Sequence, residues 1–123
     1  MTTILVIDDE RMMQPREGVA IRHASNITQA LDAIYSIADF TEIWLDHDLG
    51  TVTEDSEIPV TTMVVVDRLE QYAVLNMGAA PRLPTIYVHT QNPVGAQNII
   101  RALDRYYTVK RVGVDAFLPQ EKP

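Results

Sequence analysis

A chain of 123 residues, 46% hydrophobic and 22% charged, is long enough for one globular domain with a buried core. It has no cysteine, which excludes disulfides and thiolate zinc sites, and no apolar run near the roughly 18 residues that cross a membrane. Its net charge of −7 argues against sequence-independent duplex DNA binding, and it is unevenly spread, with −9 on residues 1–60 and +2 on residues 61–123. With no secretory signal read at the start, the expectation is a soluble, cytoplasmic single domain spanning residues 1–123 with no membrane partner.

Residues 3–7, TILVI, form an apolar run rich in β-branched residues that ends at Asp8, Asp9 and Glu10, which predicts a buried strand. Residues 19–24, VAIRHA, predict a second strand. Ser25 and Asn26 then offer helix caps, and Ile27, Ala30, Leu31, Ile34 and Ala38 follow at helical spacing. A third strand, EIWL, runs into Asp46, His47 and Asp48. Residues 50–59 are polar and without period, so a loop is expected there. A helix fits residues 61–76, with Val65, Val66, Leu69, Tyr72 and Ala73 on one stripe, stopped by Gly78, Pro81 and Pro84. Residues 85–89, TIYVH, read as the fourth strand, leading to Thr90. Asn92 and Pro93 then start a helix with Ala96, Ile99, Ile100 and Leu103 on its apolar face. Residues 106–112, YYTVKRV, read as the fifth strand, with a short tail after it.

Strands alternating with helices predict a parallel α/β sheet with helices on both faces, and ligands in such sheets bind outside the carboxyl ends of the strands. Those ends carry Asp8, Asp9 and Glu10, then Asp46, His47 and Asp48, then His89 and Thr90, then Lys110 and Arg111. Acids gathered there repel one another without a cation, so Asp8, Asp9, Asp46 and Asp48 are the expected ligands of Mg²⁺, with Mn²⁺ as the alternative. Solvated strand-end acids are the plain alternative. His47 and His89 adjoin the acids and suit general acid–base work, although each could equally be a structural hydrogen-bonding residue. Alternation places Asp46 and Asp48 on one side and His47 on the other as long as the chain stays extended. His23, with no acid cluster beside it, reads as structural. Arg11 and Arg111 are candidate phosphate contacts. The Asn92 helix start offers backbone N–H groups to an anion, with Gly95 allowing close approach.

This order of strand ends resembles a response-regulator receiver domain, with an acidic pair, a phosphoacceptor aspartate, a hydroxyl and a lysine in sequence. They map to Asp8 and Asp9, Asp46, Thr90, and Lys110. The resemblance implies a flavodoxin-like receiver fold: five parallel strands in order 2-1-3-4-5. About nine residues join Asp9 to the second strand and few follow the fifth, so the first and last helices are expected to be reduced. IDDER, WLDHDLG and VHTQNPVGA are similar to the divergent branch of cyclic-phosphate-processing receiver-like domains, linked to RNA-end repair and nucleotide handling. That branch implies a phosphodiesterase-type activity on a nucleotide or RNA-end cyclic phosphate. Asp46, His47, His89, Thr90 and Lys110 would be catalytic, and Thr90, Asn92, Lys110, Arg111 and Arg11 would contact phosphate. Two other readings stand beside it. One is a stand-alone receiver phosphorylated on Asp46; the other is a binding module that has lost chemistry and engages a nucleotide or protein partner.

Overall fold

The computed structural model describes residues 2–9, 12–51, 59–76, 83–90 and 92–113, with backbone alone at 48–51 and 59–60. Five strands make one parallel sheet: β1 (Thr2–Ile7), β2 (Val19–Ala24), β3 (Glu42–Leu45), β6 (Thr85–Val88) and β7 (Val109–Arg111). Their order is β2-β1-β3-β6-β7, the 2-1-3-4-5 order expected. Three helices connect them: α1 (Ile27–Ile34), α2 (Met63–Leu75) and α3 (Pro93–Leu103).

Strand alternation divides the sheet into two faces. Leu5, Ile7, Ile43, Leu45, Ile86 and Val88 share a core with Ala30, Ala33 and Ile34 of α1, Val65, Val66 and Leu69 of α2, and Ala96, Ile99 and Leu103 of α3. The other face packs Ile4, Val6 and Trp44 with Met13, Val19, Ile21, Tyr87 and Val112, and no helical residue joins them. All three described helices therefore lie on one face, so among the described residues the expectation of helices on both is not met. One cause is the short connection after β1. Residues 12–16 form no helix, and Arg16 to Val19 close a turn, in which Val19 N–H donates to Arg16 C=O at 3.2 Å and Gly18 takes φ 77°. That left-handed φ suits glycine. Met13, nearly buried, covers part of the face that a first helix would otherwise occupy.

Three further elements depart from expectation. The helix after β2 stops at Ile34 and does not reach Ala38. Tyr35 and Ser36 donate to Asp32 and Ala33 carbonyls three residues back, tightening the chain into a 3-10 turn at Ile37–Asp39. This change of pitch buries Ile37 and Phe40 and leaves Ala38 exposed. The polar stretch at 50–59 is flanked by a small antiparallel hairpin, β4 (Asp48–Thr51) with β5 (Pro59–Thr61). The last strand starts at Val109 and not at Tyr106. The N–H groups of Tyr106 and Tyr107 instead bond back to Leu103, finishing α3. Tyr107 is buried there and donates its hydroxyl to the Leu69 carbonyl at 2.6 Å, and burial pushes its phenol pKa upward, with nearby Tyr72 adding to the effect.

The predicted caps are present. Asn26 Oδ1 accepts from Gln29 N–H at 2.8 Å, and Gln29 Oε1 accepts from Ser25 N–H at 2.8 Å, a reciprocal pair that starts α1. Asn92 Oδ1 accepts from Gly95 N–H at 2.9 Å, with Pro93 at the first helical position of α3.

Candidate functional site

The parallel ladder continues one residue past β1, β3 and β6. Asp8 N–H bonds to Ala24 C=O, Asp46 N–H to Ile7 C=O, and His89 N–H to Leu45 C=O. Asp8, Asp46 and His89 thus form a row across three adjacent strands, on the face that carries no described helix. Each is buried, and their ligand-type atoms all lie within 4.8 Å of one another. His89 Nε2 reaches Asp8 Oδ2 at 2.9 Å, with both side chains fully buried. One step back along the strands, Trp44 stacks on Tyr87 at 4.6 Å between centroids, and its ring lies 6.2 Å from that of His89. Glu42 Oε1 accepts from the Trp44 indole N–H at 2.9 Å and fixes the ring.

His47 falls on the opposite face, as alternation predicts. Its ring lies against the first turn of α3. A Cβ built on Gly95 would stand 2.3 Å from His47 Cγ and 2.7 Å from Nδ1, closer than real atoms approach. The close approach that Gly95 permits is therefore that of His47. Asn92 Nδ2 lies 3.4 Å from His47 Nδ1, and Thr90 Oγ1 accepts from Asn92 N–H at 3.1 Å. Thr62, fully buried at the start of α2, donates its N–H to the His47 carbonyl at 2.8 Å. The carboxyl edge of the sheet therefore carries two groups. Asp8, Asp46 and His89 are on one side, and His47, Thr90, Asn92 and Gly95 are on the other.

The remaining predicted residues lie elsewhere. Asp9 is exposed, in a bend after β1, and lies outside the buried trio. Lys110 is exposed, in register with Tyr87, and its ammonium sits 5.9 Å from the Tyr87 ring centroid. Arg111 is exposed and in register with Val88, one residue short of the row. Arg11, Glu10 and the Asp48 side chain lie outside the described residues. His23 is half-buried beside Val6 on β1. The sequence gives no sign of the seat that Gly95 makes for His47 or of the Thr62 contact, since both are set by tertiary packing. The Trp44–Tyr87 stack was open to inference from strand register.

Sequence comparison identifies the family to which this 2-1-3-4-5 sheet belongs. The profile of the cyclic-phosphate processing receiver domain matches residues 3–105. The chain belongs to that family. No curated protein and no solved structure gave a match. Within this receiver domain, the match runs from β1 through the end of α3 and so includes both groups at the carboxyl edge.

Proposed function

We propose that this receiver domain opens cyclic phosphates, at an RNA end or on a nucleotide, with a divalent cation held by Asp8, Asp46 and His89. The observation that carries this reading is the burial of two carboxylates and an imidazole within 4.8 Å of one another at adjacent strand ends. Two buried carboxylates that close call for a positive charge or a shared proton between them. The donor set fits a cation. Carboxylate oxygens suit Mg²⁺ and Mn²⁺, and the imidazole nitrogen moves the preference toward first-row transition ions, hence toward Mn²⁺. When bound, such an ion polarises a phosphoryl oxygen and activates water.

The chain's own groups supply the rest. Asp8 Oδ2 and His89 Nε2 lie 2.9 Å apart, as two ligand atoms of one ion can. Thr90 Oγ accepts from Asn92 N–H and keeps its own proton for a phosphate oxygen. Ring opening consumes one water, breaks one phosphorus–ribose oxygen bond and leaves a phosphomonoester. The Lys110 ammonium rests on Tyr87 and has no contact with the acids among the described residues, which weighs against Asp46 as a signalling phosphoacceptor.

The test is phosphorus NMR of the protein with Mn²⁺ or Mg²⁺ and a mixture of 2′,3′- and 3′,5′-cyclic nucleotides, then an RNA ending in a 2′,3′-cyclic phosphate. A monoester peak is expected, lost in Asp46→Asn and His89→Ala. A spectrum unchanged on every substrate, together with a stable phosphoryl adduct on Asp46 after acetyl phosphate, would replace this reading with the signalling one.

A further inference from the structure

We infer that Asn92 sets the tautomer of the neutral His47 ring, with the proton on Nε2, making that ring a hydrogen-bond donor at the carboxyl edge and Asn92 its positioning residue. The argument starts from the cap of α3. A backbone N–H can only donate, so the Asn92 atom 2.9 Å from Gly95 N–H is the amide oxygen. The other amide atom is then the NH₂ group, and this is what lies 3.4 Å from His47 Nδ1. An amide NH₂ has no acceptor capacity, so Nδ1 is the accepting nitrogen. A neutral imidazole carries one proton, which leaves it on Nε2.

The helix start thus bears on a proton assignment that heavy-atom positions alone leave open. Gly95 holds the ring in place, since its missing Cβ is the space that Cγ, Cδ2 and Nδ1 occupy. Thr62 N–H fixes the backbone of the same residue from the other side. A neutral Nε2–H donates a hydrogen bond and keeps its proton, because losing it would leave an imidazolate. The neutral form of His47 therefore suits a phosphate oxygen and not the protonation of a leaving group. That ligand rests on the proposed function; the tautomer does not.

The experiment is long-range proton–nitrogen correlation NMR of the nitrogen-15 labelled protein, without substrate and at alkaline pH where imidazoles are neutral. The His47 signals are assigned by their loss in His47→Gln. The expected spectrum shows Nδ1 with a pyridine-type shift and Nε2 with a pyrrole-type shift. Asn92→Asp is the second arm. Aspartate caps helices as well as asparagine does, but offers Nδ1 an acceptor, so the two shifts should exchange. A wild-type His47 already protonated on Nδ1, or one whose tautomer is the same in Asn92→Asp, overturns the inference. Because no substrate is present, failure of turnover and failure of the tautomer are separate results.

Discussion

Gly95 shows how one missing methyl group shapes this site. A side chain there would meet the His47 ring at 2.3 Å, so Gly95→Ala must displace either the imidazole or the first turn of α3. Overpacking of this kind typically costs about 1–3 kcal/mol. Urea denaturation should show a loss of that order for Gly95→Ala and a much smaller one in the Gly95→Ala, His47→Ala double variant, since the clashing ring is gone. If the two changes add, the glycine acts through helix propensity or backbone freedom and the ring is not its partner. In the sequence, Gly95 reads as a helix start open to an anion. Nothing in a linear string says that a residue 48 positions earlier fills that space.

Among the elements, α3 and its continuation through Tyr107 tie the last strand to α2. The Tyr107 hydroxyl donates to the Leu69 carbonyl from a buried position, so Tyr107→Phe should cost about 1 kcal/mol. The same residue sets an alkaline limit. Its folded-state pKa is raised, first by burial, above the unfolded value of about 10, so the unfolded chain loses that proton first. The stability from keeping the phenol neutral is complete below the unfolded value and falls as pH rises above it. Denaturation measured from neutral to strongly alkaline pH should slope downward in wild type and less steeply in Tyr107→Phe. Equal slopes would assign the alkaline loss to other groups. Apolar runs made β1, β3 and β6 legible from the sequence, and helical spacing did the same for α2, α3 and the start of α1, down to the caps at Asn26 and Asn92. The β4–β5 hairpin was not, because Asp48 to Thr61 shows no alternation, and the end of α1 was not, because the 3-10 turn that buries Ile37 follows from the route into β3.

At the scale of the molecule, the family's sheet is kept while the described helices cover one face only, and the buried acids end the strands on the other. That Asp8 and Asp46 come together was legible from the strand-end rule, whereas His89 as their third neighbour depended on register. Asp9, read in the sequence as a further ligand, is exposed and stands in a bend after β1, outside the buried trio. The acidic half of the chain, at −9, adds an attraction for cations that salt will weaken. If the trio of Asp8, Asp46 and His89 binds a divalent ion in the folded state only, that ion must raise stability by mass action. The gain is about 2.7 kcal/mol when the free ion is at a hundred times its Kd, which moves Tm by about ten degrees in a domain of this size. Thermal denaturation should therefore show a rise with Mn²⁺ and a smaller one with Mg²⁺ at equal concentration, both abolished in Asp8→Asn and in His89→Ala. Trp44 gives a second readout. It is the chain's one tryptophan, its ring centre is 6.2 Å from that of His89, and paramagnetic Mn²⁺ at the trio should quench its fluorescence while Mg²⁺ leaves it bright. A Tm rise without quenching would put the ion elsewhere on the acidic half. Neither effect at millimolar ion would mean that the carboxylates share a proton, and ring opening would then have to proceed without a cation at this trio.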